Sequence, residues 1–264
     1  MVLMNEVVKV LPVLALMLGT SACTPRARVE QKETPMTDAQ ELGSSLTEAA
    51  PSNAITIAPR EGPTSHLVVL LHGVGADAAS FQSVARALAR GLPRAELVVP
   101  DGFHPFDGGA TGRQWFSLRG ITETNRPGRV REAGAEVSRW IDGELDRRKL
   151  GRDRLVVVGF SQGAIVAAWL AMHRAPGPAA VVMLSGRVAE DEVAAKAVTS
   201  TPVLVLHGAE DRVIPVSVVD PGTKVLDAWG ARVEKRVYPD LGHEVDAREL
   251  RDIDDFLRRA LGPT

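Results

Sequence analysis

The chain of 264 residues has one cysteine, one tyrosine and few aromatic residues of any kind. A single cysteine leaves no intrachain disulfide and no multi-cysteine metal site. Neither sign of charge is in excess: 31 Lys+Arg against 33 Asp+Glu give a formal net charge of −2. Nucleic acid is therefore not an expected partner, since a phosphate-binding face shows as a basic excess. The short basic runs Arg147-Arg148-Lys149 and Arg258-Arg259 sit among apolar residues at helical spacing and read as solvated helix faces. No G-x-G-x-x-G or Walker-type loop is present, so no nucleotide cofactor is implied, and none of another kind is expected. Asp252, Asp254 and Asp255 are spaced around a helix rather than on one face, and no metal is expected there. No apolar run reaches the roughly 20 residues that cross a bilayer. What the chain has is 45% hydrophobic residues, enough for a large core, in a length that suits one α/β domain.

The lone cysteine is informatively placed. Residues 10–19 (VLPVLALMLG) are apolar, Thr20-Ser21-Ala22 are small, and Cys23 follows. This order fits a secretory signal with a small-residue cleavage site. It resembles a bacterial lipoprotein signal, with residues 1–22 removed and Cys23 lipidated as the first mature residue. The resemblance implies an exported protein held at the cell envelope by a membrane anchor. Thr20-x-Ala22 equally suits ordinary signal cleavage, which would leave a secreted protein. A third reading is a buried N-terminal helix with a core cysteine. Residues 24–53 are polar, with three prolines and no sustained period, and read as a flexible linker. As coil they would span roughly 30 Å root-mean-square.

From there to residue 264 the pattern alternates. Apolar, β-branched runs at 67–71, 96–100, 154–159, 180–184 and 202–206, with a weaker one at 232–238, read as strands. Runs without polar alternation belong to strands buried on both faces, hence a mainly parallel sheet. Helices are predicted at 79–90, 130–149, 162–175, 189–198, 216–229 and 246–261. The alternation predicts one α/β unit over 54–264, a single mainly parallel sheet with helices on both faces. The spacing leaves no room for a large cap domain. The one long loop, 101–128, is Gly-rich and aromatic-bearing, and loops of that length in compact domains are usually functional.

Gly159-Phe160-Ser161-Gln162-Gly163 falls between the strand at 154–158 and an Ala-rich helix, the strand–turn–helix context of a G-x-S-x-G nucleophile elbow. The glycines are needed because a Cβ on either would meet the neighbouring strand and helix. The helix behind the turn adds positive potential at its start. A serine hydroxyl is a weak nucleophile and needs a base oriented by an acid. Hydrolases with this elbow place them downstream, acid before histidine. His173 falls inside the helix after the elbow, and His207 ends a strand. His243 sits in the loop between the last strand and the last helix, from which a base can reach back over the sheet, and is the chosen base. Asp211, just past the strand at 202–207, is the chosen acid, with Glu210 as the alternative. Asp240 reads as a turn former.

Leu71-His72-Gly73-Val74-Gly75 follows an early strand and opens a helix. Glycines let such a loop turn its N–H groups toward the site. The Val74 and Gln162 N–H groups are predicted as oxyanion donors, and His72 as a loop anchor. Arg113 is a candidate contact for a substrate carboxylate, and His104-Pro105-Phe106 a candidate rim.

Taken in order, L-H-G-V-G at 71–75, G-R-Q-W-F at 112–116, G-F-S-Q-G at 159–163, H-G-x-x-D-x-V-I-P at 207–215 and L-G-H at 241–243 resemble the phospholipase/carboxylesterase family. That family has the α/β-hydrolase fold and includes the acyl-protein thioesterases; the match runs from about residue 65 onward. The resemblance implies Ser161, Asp211 and His243 as triad, Val74 and Gln162 as backbone donors, and Trp115 and Phe116 lining an acyl pocket. Ser117 stands where the thioesterase branch usually carries Asp, and Ala76 likewise. The expected activity is cofactor-free hydrolysis of small carboxylic esters of short to medium chain through an acyl-enzyme. Lysophospholipid or thioester hydrolysis on the same residues is the alternative, and a non-catalytic binding module the remaining one.

Overall fold

The computed structural model describes residues 50–190 and 200–262. The signal and lipidation readings at 1–23, nearly all of the linker, and the helix expected at 189–198 therefore fall outside the described residues, apart from their edges.

Seven strands form one sheet: β1 (Ala54–Ile57), β2 (His66–Leu71), β3 (Ala95–Pro100), β6 (Leu155–Phe160), β7 (Ala180–Leu184), β8 (Pro202–Gly208) and β9 (Arg232–Tyr238). Their order across the sheet is β1-β3-β2-β6-β7-β8-β9, parallel throughout except for β1, which runs antiparallel to β3. Between β3 and β6, β4 (His104–Pro105) and β5 (Arg113–Gln114) pair as a small separate ribbon.

Alternation along each strand divides the core into two. On β2, Leu67, Val69 and Leu71 face one side and Val68 and Leu70 the other. The first side is covered by α2 (Arg126–Arg148), α3 (Gln162–His173) and α4 (Val219–Ala228), and the second by α1 (Ala78–Ala89) and α5 (Ala247–Leu261). α3 is buried on every side from Gln162 to Met172, packed between the sheet and α2, so its apolar residues have no polar face to alternate with. α5 is strongly amphipathic and starts with a capping box between Asp246 and Glu249.

The parallel sheet with helices on both faces agrees with the sequence pattern, and no large cap lies among the described residues. Three details differ. β1 went unread because only alternate residues, Ile55 and Ile57, pack on the core. α2 starts four residues earlier than its apolar period, because Pro127 in the first turn has no N–H to satisfy there. The loop expected at 101–128 contains the β4–β5 ribbon, whose residues follow no apolar period.

Candidate active site

Ser161 stands between β6 and α3 with φ 53° and ψ −117°, a left-handed backbone that a serine adopts only under local constraint. The turn is held by the Ser161 N–H, which donates to the Leu184 carbonyl at 2.9 Å. Its tightness explains the flanking glycines. A Cβ on Gly159 would collide with the Gly163 carbonyl, and one on Gly163 with the Leu71 carbonyl.

His243 reaches the serine from the loop between β9 and α5. Its Nε2 lies 2.9 Å from Ser161 Oγ, and its Nδ1 lies 2.7 Å from Asp211 Oδ2. A carboxylate only accepts, so Nδ1 carries the proton and Nε2 is left to accept from the serine hydroxyl. The Phe160 ring lies against the imidazole with centroids 4.9 Å apart. The loops carrying acid and base are themselves joined. Ala209 N–H donates to the Tyr238 carbonyl at 2.8 Å and Glu210 N–H to the Leu241 carbonyl at 2.9 Å, while Gly208 leaves no room for a Cβ beside Leu241.

The second oxygen of Asp211 accepts the N–H groups of Val213 and Ile214 at 2.8 and 2.9 Å. Burial pushes this carboxyl up. The hydrogen bond from His243 and those from the two backbone N–H groups outweigh it and hold Asp211 below the usual carboxylate range. Glu210 and Asp240 are exposed, and Asp240 pairs with Arg248 at 2.6 Å, so neither competes for the imidazole.

His207, passed over as a base, has a place here. It is fully buried, with Nε2 2.8 Å from the Ile214 carbonyl and 3.4 Å from Asp211 Oδ2. It therefore donates toward the turn that holds the acid. The four-residue spacing from His207 to Asp211 was the visible signal. His173 lies away from the site on α3, stacked on Trp169 and packed against Trp229.

The loop after β2 meets the elbow from the other side. Gly75 N–H donates to the Arg113 carbonyl and Arg113 N–H to the Ala76 carbonyl, both at 2.8 Å, while Ala76 N–H reaches Gly73 at 3.2 Å. Among the described residues the N–H groups of Val74 and Gln162 have no acceptor. The His72 ring accepts from Gly102 N–H at 2.8 Å through Nε2 and donates to the Gly73 carbonyl at 2.7 Å through Nδ1. Burial lowers its pKa, which suits a neutral, loop-tying imidazole.

The three predicted contact residues are engaged within the protein. Arg113 spends its guanidinium on the Gly102 and Phe103 carbonyls at 2.8 and 2.9 Å, bracing the loop instead of facing outward. Trp115 and Phe116, implied as pocket lining, are only 1% and 4% exposed, and both bond through their main chain to the Gln162 side chain. His104, on β4, is exposed and lies 3.2 Å from Glu136. The Ser117 hydroxyl donates to the Asp107 carboxylate. Asp252 accepts from the Tyr238 hydroxyl at 2.5 Å and pairs with Arg236, and Asp254 pairs with Arg258 at 2.9 Å.

A serine on an elbow at the edge of a mainly parallel sheet, bonded to a histidine that is bonded to an aspartate, defines the class: a serine hydrolase on the α/β-hydrolase fold. The profile of the Phospholipase/Carboxylesterase family matches residues 52–261, and the chain belongs to that family. Esterase YpfH of Escherichia coli (strain K12) is 32% identical over 197 residues, covering 74% of this chain and 83% of that protein. Acyl-protein thioesterase 1 of Kluyveromyces lactis is 23% identical over 228 residues, covering 80% of this chain and 99% of its own. Among solved structures, esterase PE8 superposes with a TM-score of 0.71 at 25% identity, covering 78% of this chain and 98% of that one.

Proposed function

We propose that the chain is a carboxylesterase that cleaves short- to medium-chain esters through an acyl-enzyme. The observation that carries this reading is the unbroken hydrogen-bonded line from Asp211 through His243 to Ser161. Ser161 Oγ attacks the ester carbonyl while His243 Nε2 takes its proton. Asp211 stabilises the resulting imidazolium without itself being protonated. The N–H groups of Val74 and Gln162, which have no other acceptor among the described residues, receive the oxyanion. His243 then protonates the leaving alcohol, and water repeats the sequence to free the acid. The absence of a large cap among the described residues supports short to medium acyl chains.

Thioester or lysophospholipid hydrolysis would use the same residues. The likeness to an acyl-protein thioesterase favours it, and Ser117 and Ala76, at positions where the thioesterase branch carries aspartates, weigh against it. Hydrolysis of p-nitrophenyl esters from acetate to palmitate, by the chain and by Ser161→Ala, decides. Turnover should vanish in the variant and peak at short or medium chains. A palmitate optimum would move the assignment to the lipid reading. A folded protein without turnover and unlabelled by a fluorophosphonate would overturn both, leaving a binding module.

We also infer export with acylation at Cys23, on the order of apolar stretch, small residues and cysteine. Cys23→Ser should abolish palmitate incorporation in cells and release the protein from the membrane fraction. Wild-type protein that takes up no label would favour ordinary signal cleavage.

A further inference from the structure

The two N–H groups assigned to the oxyanion come from separate parts of the fold, Val74 from the loop after β2 and Gln162 from the start of α3. Such a pair works only when both donors are fixed before charge develops, because the advantage lies in avoiding reorganisation during the reaction. Something must hold the two parts in register. We propose that Trp115 is the positioning residue that does so, an inference that rests on the oxyanion reading above.

The indole Nε1–H of Trp115 donates to the His72 carbonyl at 2.8 Å, two residues before Val74. The backbone N–H of the same residue donates to Gln162 Oε1 at 2.9 Å. The Gln162 amide returns a bond from Nε2 to the Phe116 carbonyl at 2.7 Å, so both ends of that side chain are pinned to one short stretch of backbone. One residue thus binds each half of the oxyanion site, through its side chain on one side and its main chain on the other. The His72 ring extends the tie to Gly73 and Gly102. His72, Trp115 and Gln162 are all buried, so water does not substitute for a lost bond.

The chain carries its own contrast. Trp169 and Trp229 are buried with indole N–H groups that have no partner among the described residues. At Trp115 the donor is spent on the carbonyl next to the Gly73-Val74 turn. The ring itself packs on His72 and Phe103, with centroids 5.1 and 5.7 Å away. Shape and donor can therefore be separated by experiment.

The test replaces Trp115 with Phe and, in parallel, with 3-benzothienylalanine, which keeps the bicyclic shape and lacks the N–H. Both are made in the full chain. Rates on p-nitrophenyl butyrate are normalised to serine titrated by a fluorophosphonate. Inhibition by an alkyl boronic acid reports the tetrahedral adduct on Ser161. The expected result is a fall in kcat and in boronate affinity by the same factor, roughly 10- to 100-fold, with KM and the pH profile unchanged. That is less than the about 10²–10³ lost when an oxyanion donor is deleted outright. A purely structural role would lower the melting temperature or the titratable fraction and leave the rate per titrated serine intact. That outcome in the benzothienyl variant, or a loss of kcat at full boronate affinity, would overturn the proposal. Wild-type enzyme that hydrolyses no ester and binds no boronate would instead remove the oxyanion reading, and this proposal with it.

Discussion

The α-carbon of Gly163 faces the carbonyl oxygen of Leu71 at a separation that leaves no space for a side chain. The elbow is thereby pressed against the end of β2, and Ser161 and the loop after β2 share one rigid corner. Gly163→Ala should displace the first turn of α3. A shift near 1 Å at the nucleophile costs about 10² in rate. We expect kcat/KM to fall by about that factor or more, together with a lower melting temperature. Ester hydrolysis and a thermal melt on the same preparation check both.

Asp211→Asn places an amide beside His243 Nδ1 and favours the tautomer that cannot accept the serine proton. A loss of about 10⁴ in kcat is expected, with substrate binding little changed. In the wild type, Asp211 is held below the usual carboxylate range, so it remains ionised throughout neutral pH. With its folded pKa depressed, the stability it contributes is present above the unfolded value of 3.8 and is lost as pH falls through the folded value. A melt series against pH for wild type and Asp211→Asn should show this difference disappearing on the acid side.

His207→Leu removes the donor to the Ile214 carbonyl and loosens the turn that presents Asp211. The expected loss is roughly tenfold in kcat, from an unpaired buried carbonyl and a freer carboxylate. His207→Gln, which returns an N–H at similar reach, should recover most of it. Equal losses in the two variants would argue against the donor.

Glu249 is fully buried in α5, and burial pushes its carboxyl up to about 8. Its Oε2 accepts from Asp246 N–H at 3.1 Å, and its Oε1 has no partner among the described residues. Because the folded pKa is raised, the stability is complete below the unfolded value of 4.5 and is lost as pH rises through about 8. Glu249→Gln keeps the acceptor and removes the charge. The variant should melt above wild type at pH 8.5 and close to it at pH 5, each kcal/mol of relief raising the midpoint by about 2–4 °C in a domain of this size.

Legibility in the sequence followed burial. Val156 to Val158 are buried on both faces of the sheet and read as a strand without ambiguity, and the elbow after them is fixed by glycines whose reason is steric. The types and order of Ser161, Asp211 and His243 were readable because the fold admits few places from which each can reach the others. What escaped was set by partners far along the chain. Nothing in the charge of Arg113 tells that its guanidinium will be used on two carbonyls, and nothing in Trp115 tells which way its N–H points. The β4–β5 ribbon is held through main-chain bonds to Gly75 and Ala76, which leave no trace in side-chain pattern.

The single antiparallel strand has a practical corollary. Ala54 pairs with Pro100, at the end of β3 on the same sheet edge as the elbow, so the chain ahead of β1 joins the domain on its reaction side. Gly262 lies instead near Arg60, Arg90 and Pro93, by the opposite edge. A label or fusion appended after α5 stands clear of incoming substrate. One placed just ahead of β1 lies on the same edge of the sheet as the nucleophile.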